Sequence, residues 1–310
     1  MKKKAKQKRL SLWLLSLFSF LGVVLPLSVM AITAYPLPQK GEDIVGWVRQ
    51  IETAPGDNLE FIARTHGSTL HELQQANPNL DKETLTSPGG TLYLSSAYIL
   101  PPGPRQGLVI NLSEMRFYYF SEKEGKVYTA PASVGRPGWE TPLAEDASII
   151  DKEYLPTWHV PQSIRNYTAK NGFILPEEIP PGSDNPLGDH MLRLSLHGYL
   201  IHGTNEPYSI GKPITSGCLR LYPEDVEWLY QHVAIGTPVR IINQPIKVGK
   251  YHGKLFVEAH SAIANDEKES IPSDTLLIDN VFKKSVVSTI NWQHLKKIVA
   301  RKTGYPEQIN

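Results

Sequence analysis

The run Pro101-Pro102-Gly103-Pro104 divides this 310-residue chain into two textures that one simple fold does not accommodate. Proline fixes φ and removes a backbone donor, so neither a helix nor a central strand passes through such a run, and a stiff linker is expected over 96–105. Beyond it come Gly107-Leu108-Val109-Ile110-Asn111-Leu112, Arg116-Phe117-Tyr118-Tyr119-Phe120 and Lys126-Val127-Tyr128-Thr129-Ala130. These segments are short, β-branched or aromatic, and parted by turn residues, the spacing of a sandwich or barrel. A mainly β fold is therefore expected for the larger part of the chain.

Before the prolines the pattern is different. Pro55-Gly56-Asp57 is a turn signal. Leu59, Ile62 and Ala63 then fall at helical spacing. Thr69 and Glu72 have the spacing of a capping box that opens a second helix, which Asn77-Pro78 stops. After Pro88-Gly89-Gly90, Thr91-Leu92-Tyr93-Leu94 reads as a closing strand, so 49–95 is expected to be a small βααβ module after a linker at 32–48. Further on, Met191 to Leu196 and Tyr199 to His202 read as strands joined by a turn at His197-Gly198. Val226, Leu229, Tyr230 and Val233 give a helix opened by Pro223, Glu224 and Asp225. Gly236-Thr237-Pro238 ends that helix, and Val239 to Ile242 reads as a final strand. Residues 244–310 form an extension, polar over 262–275 and helical from Val286 to Val299.

The N-terminus bears on the compartment. Lys2, Lys3, Lys4, Lys6, Lys8 and Arg9 precede an apolar run from Leu10 to Met30, and small residues follow. That is the plan of a secretory signal over 1–31, cleaved after Ala31 or Ala34; left uncleaved, the run is long enough to tether the chain to a membrane. No cysteine follows it, which excludes a lipid-anchored N-terminus. Removing six positive charges from a net of +1 leaves about −5, unlike the basic face of a nucleic-acid binder. The ten histidines show no His-Glu-x-x-His pattern, and one cysteine builds no usual zinc cluster. No glycine-rich phosphate loop is present, so neither a metal nor a nucleotide cofactor is expected.

That one cysteine, Cys218, is unusual for an exported chain, where thiols normally pair as disulfides. It lies in Thr215-Ser216-Gly217-Cys218-Leu219-Arg220, sixteen residues after His202 in Ile201-His202-Gly203-Thr204. Thiol and imidazole are the parts of a nucleophile and its base. Gly217 permits close backbone approach and leaves amides for an oxyanion, and the fork of Arg220 suits a carboxylate. Each feature also has a plain reading: a buried inert thiol, a turn glycine, a surface arginine and a structural histidine.

The run from Asn185-Pro186-Leu187-Gly188 through Ile201-His202-Gly203-Thr204-Asn205, Ile210-Gly211 and Thr215-Ser216-Gly217-Cys218-Leu219-Arg220-Leu221 to Pro223-Glu224-Asp225 resembles the YkuD-type L,D-transpeptidases. The similarity is greatest to their Gram-negative periplasmic branch. Gly135-Arg136 with Trp139, Thr141-Pro142 and Pro156-Thr157-Trp158 agree with it. Gly56-Asp57-Asn58-Leu59, Ile62-Ala63-Arg64, His66-Gly67, Ala76-Asn77-Pro78 and Gly90-Thr91-Leu92 resemble a LysM module, which grips N-acetylglucosamine-containing chains; the alternative is a spacer that binds nothing.

The resemblance implies a β-sandwich catalytic domain over 106–243, with Cys218 as nucleophile and His202 as proton acceptor and donor. It also implies that the Gly203 carbonyl orients the imidazole and that the Gly217 and Cys218 amides form the oxyanion hole. Thr215, Ser216 and Arg220 would shape the substrate site. The implied donor is a peptidoglycan tetrapeptide stem, cleaved between diaminopimelate and D-alanine. The acceptor would be an amine of another stem, giving a 3–3 cross-link, or the C-terminal lysine of an outer-membrane lipoprotein. Water as acceptor would make the protein an L,D-carboxypeptidase, and a non-catalytic wall-binding protein is a third reading. Two positions depart from the family pattern. Ser216 stands where histidine is frequent, and Leu143-Ala144-Glu145 stands where a glycine is common, so a different turn is expected there.

Overall fold

A computed structural model describes residues 30–54, 57–78, 90–263, 273–282 and 290–310. The apolar run Leu10–Val29, the turn Pro55-Gly56, Pro88 and Gly89 before Gly90, and most of the polar stretch 262–275 lie outside the described residues. No helix among the described residues is long and apolar enough to cross a membrane.

Nine strands form one hydrogen-bonded sheet. From one edge they run Thr33–Pro36, Lys126–Pro131, Arg116–Ser121, Gly107–Asn111, Pro238–Ile242, Ala144–Tyr154, His190–Leu194, Leu200–His202 and Leu219–Arg220. The long strand Ala144–Tyr154 belongs to both halves of the sheet. Its register is interrupted between Ala144 and Ala147 against one neighbour, and between Ile149 and Asp151 against the other. Such irregularities bend a strand, and here the two halves close on one core. Leu108, Ile110 and Phe117 from one half meet Leu192, Ile201 and Leu219 from the other, with Val226 and Leu229 of the helix Pro223–His232 between them. The fold is mainly β, as expected. Ala144 and Glu145 lie in that long strand rather than in a turn.

The small module is a strand pair, Val48–Thr53 with Gly90–Ser95, and two helices, Leu59–Thr65 and Leu70–Ala76. The capping box read from Thr69 and Glu72 is present, with the Thr69 hydroxyl accepting from the Glu72 amide and the Glu72 carboxylate accepting from the Thr69 amide. Leu59, Ala63, Leu73, Leu92 and Leu94 form a core of their own. So few residues bury little apolar area, and polar contacts fasten the module to the larger domain. Arg116, 1% exposed, holds the Glu72 carboxylate at 2.7 Å and donates to the Gly67 carbonyl at 2.9 Å. Arg64 pairs with Glu224 and lies over the Tyr222 ring.

Both segments expected as linkers are built into the structure. Thr33–Pro36 is the sheet's edge strand, and Ile44–Val45 pairs with Tyr98–Ile99. Tyr35, Val45, Tyr98 and Leu100 cover Val109, Tyr118, Phe120 and Val127 on the outer sheet face. That apolar face has to be covered, and the flanking chain covers it. The extension is likewise more than helical. Strands Ile246–Tyr251, Lys254–Ala259 and Glu307–Gln308 form a sheet against the helices Asp274–Phe282 and Trp292–Arg301. The expected helix Val286 to Val299 therefore begins at Trp292, and its first four residues lie outside the described set. Asp274 and Thr275, expected as polar coil, open a helix.

Candidate functional site

Alternation along two short parallel strands brings the predicted residues together. Ile201 pairs with Leu219 and His202 with Arg220. Ile201 and Leu219 are 2% and 1% exposed and point into the core, so His202 and Arg220 share the opposite face, and Cys218 lies in the bend that leads directly into Leu219. The turn at His197-Gly198 is present, with Gly198 at φ 84° and His197 exposed.

The His202 Nδ1–H donates to the Gly203 carbonyl at 2.7 Å. A carbonyl only accepts, so this bond assigns the proton to Nδ1 and leaves the Nε2 lone pair free in the neutral ring. Burial, joined by the charge of Arg220, lowers the His202 pKa to about 4, although the carbonyls of Gly203 and Leu187 oppose this. The imidazole is thus a neutral base at neutral pH. Burial also pushes the Cys218 thiol up, against a backbone hydrogen bond at Leu200 and the charge of Arg220. The thiol also donates to the Gly198 carbonyl, at 3.8 Å.

The turn carrying Cys218 is tied on both sides. Thr215, 3% exposed, donates its hydroxyl to the Cys218 carbonyl at 2.6 Å and accepts the Gly217 amide at 3.2 Å. One of the two amides expected for an oxyanion is therefore engaged by Thr215. Thr141 bridges the Gly217 carbonyl, at 2.8 Å, and the Gly135 amide, at 2.9 Å. Gly217 has φ 102°, and a Cβ there would stand 2.9 Å from a ring carbon of Tyr199, so glycine is required. Gly203 is held from behind by the buried loop at Asn185 to Gly188, whose Asn185 amide donates to the Pro156 carbonyl at 2.8 Å. Ser216 accepts from Arg136 at 3.2 Å. Arg220 donates to Ser209 at 3.1 Å and lies 3.5 Å from Glu206, so its charge is partly committed already.

Two groups against the turn that carries the thiol have no functional assignment from sequence. Tyr199 flanks Gly217, and its pKa is raised by burial and then by Cys218. Arg136 lies over Trp139 and Tyr167, 5.3 and 4.9 Å from the ring centroids, while reaching Ser216. Trp139 and Arg136 belonged to the resemblance, but Tyr167 lies on the solvent-exposed helix Gln162–Lys170, where no local pattern marks it.

Away from this face, Glu114, Glu258 and His260 bring ligand atoms within 4.8 Å of one another. The Lys247 ammonium already sits between the two carboxylates, at 2.6 and 2.9 Å, and supplies their counter-charge. The cluster joins the extension to the larger domain.

A family model described as YkuD, the L,D-transpeptidase catalytic domain, matches residues 105–241, and one for the LysM domain matches 52–94. Over 272 residues the chain is 36% identical to the probable L,D-transpeptidase YcfS of Escherichia coli (strain K12), covering 85% of this chain and 84% of that protein. It is 32% identical over 288 residues to the probable L,D-transpeptidase ErfK/SrfK of Salmonella typhimurium, covering 89% and 91%.

Proposed function

The chain belongs to the L,D-transpeptidase family, with a LysM domain ahead of its catalytic domain, and from that premise we infer that Cys218 is its acyl-carrying nucleophile. Both domains imply peptidoglycan as the binding partner and the cell envelope as the location. The observation that carries the inference is the parallel pairing of the strand that ends at His202 with the one that follows Cys218, with His202 Nδ1 occupied and Nε2 available.

In this reading the thiol attacks the carbonyl of the L-centre of diaminopimelate in a tetrapeptide stem while Nε2 takes the thiol proton. The tetrahedral oxyanion is met by the Cys218 amide, joined by that of Gly217 once Thr215 releases it. Collapse breaks the bond to D-alanine, whose amine leaves with the proton held by His202. The thioester then passes to an amine deprotonated by the same imidazole, either of a second stem or of a lipoprotein's C-terminal lysine. Arg220 beside the thiol and Arg136 at Ser216 offer positive charge for stem carboxylates.

Purified protein given tetrapeptide stems provides the test. Cross-linked dimers from the wild type and none from Cys218→Ala support transfer. Tripeptide alone would mean hydrolysis, and equal products from both proteins would refute the role of Cys218.

A further inference from the structure

The carboxylate of Asp225 is enclosed, and its only hydrogen-bond donors among the described residues are two backbone amides far away in sequence. Asp225 is 0% exposed. Its Oδ1 accepts from the Ala31 amide at 3.0 Å and the Ile32 amide at 2.9 Å. Its Oδ2 is buried and accepts no hydrogen bond among the described residues. The nearby guanidinium of Arg64 is engaged by Glu224 and stacked on Tyr222. Burial pushes the Asp225 carboxyl up to about 7, against the two amides and in step with Glu224. An ionised carboxylate closed off from water without a cation of its own is an unfavourable arrangement.

The amides that reach it belong to the residues on either side of the Ala31–Ile32 bond. Ala31 ends Val29-Met30-Ala31, one of two small-residue points after the basic and apolar leader. The alternative, after Ala34, would remove Thr33 and Ala34 from the edge strand, where they pair with Thr129 and Tyr128. Cleavage after Ala31 leaves the strand whole and turns the Ile32 amide, 2.9 Å from Asp225, into an ammonium.

We propose that Ala31–Ile32 is the maturation site and that the new α-ammonium of Ile32 forms a buried ion pair with Asp225. Hydrolysis by an export signal peptidase consumes one water, leaves the carboxylate on Ala31 and creates the ammonium on Ile32. Three N–H donors on one nitrogen replace the two amides of Ala31 and Ile32, and the space vacated by Ala31 lets them reach Oδ2 as well as Oδ1. Asp225 lies in the first turn of the helix Pro223–His232, whose Val226 packs against Gly203. The pair therefore pins the N-terminal edge strand and the helix behind His202 to one another, and the unprocessed chain lacks it. This depends on export, not on the transpeptidase reading, and its tests need no catalysis.

The intact mass and N-terminal sequence of protein recovered from the envelope should begin at Ile32; a start at Tyr35 or an uncleaved chain overturns the proposal. Chains beginning at Ile32 are then compared with chains carrying a Gly-Ser extension, each with Asp225 or Asp225→Asn. The extension should lower the folded-to-unfolded ratio by about 100-fold when Asp225 is present, and much less with Asp225→Asn, since one partner of a buried pair has been removed. Equal effects in both backgrounds overturn the ion pair. If Asp225→Asn fails to fold, amine acylation of the native wild type decides. A seated Ile32 amine resists reagent until the protein is unfolded, whereas native labelling as fast as unfolded overturns the proposal.

Discussion

Titrating the alkylation of Cys218 asks which protonation state the dyad rests in. Burial acts on both partners in the direction that disfavours charge, holding His202 at about 4 and the thiol above its ordinary 9. Both shifts disfavour moving the proton from sulfur to imidazole in the resting enzyme. The expected resting state is neutral thiol and neutral imidazole, with the proton moving only as the sulfur attacks. Iodoacetamide labelling followed by intact mass should then accelerate about tenfold per pH unit between pH 6 and 9, without a plateau, because thiolate is the reactive species. His202→Ala should remain alkylatable while acyl transfer falls about 10²- to 10⁴-fold, the usual contribution of a positioned base. A labelling plateau with an inflection between pH 4 and 7 would mean a preformed thiolate–imidazolium pair and would refute the reasoning.

The same imidazole makes stability pH-dependent. Its folded pKa of about 4 lies below the ordinary 6.5, so its contribution is present above pH 6.5 and is lost as pH falls toward 4. Up to about 3 kcal/mol is at stake, and urea midpoints of the wild type and His202→Gln across that range should converge in acid. Arg116→Met leaves Glu72 at the module interface without its cation and should destabilise the protein by about 3–5 kcal/mol, measured by denaturant unfolding. Gly217→Ala forces a side chain to φ 102° against Tyr199; a loss of about 1–3 kcal/mol and a fall in Cys218 acylation are expected from unfolding and mass spectrometry. Arg136→Ala should raise KM for tetrapeptide stems more than it lowers kcat, which steady-state kinetics on purified stems would report.

Local chemistry made much of this protein legible in its sequence. The capping box at Thr69 and Glu72, the helical positions Val226 and Leu229, and the strands around Ile110, Tyr118 and Val127 depend on neighbours a few residues away, and each stands as the pattern indicates, although the helix ends at His232 and leaves Val233 extended instead of running to Gly236. The pairing of Cys218 with His202 as candidates came from residue types and spacing. What brings them together is a parallel register between Leu200–His202 and Leu219–Arg220, and parallel pairing leaves no local turn signal. The pairing of Pro238–Ile242 with Gly107–Asn111 is of the same kind, joining segments 131 residues apart. Burial of charge was equally invisible. Nothing around Arg116, Lys247 or Asp225 distinguishes them from surface residues, because what encloses each one arrives from remote chain. The segments read as linkers follow the same rule: their own composition argued for loops, and the open apolar face of the sheet made strands and cover of them. The sequence by itself determined the short elements and the reacting groups, whose physics is local. The tertiary structure alone decided which groups lose water, and so which of them carry shifted protons and unmet charge.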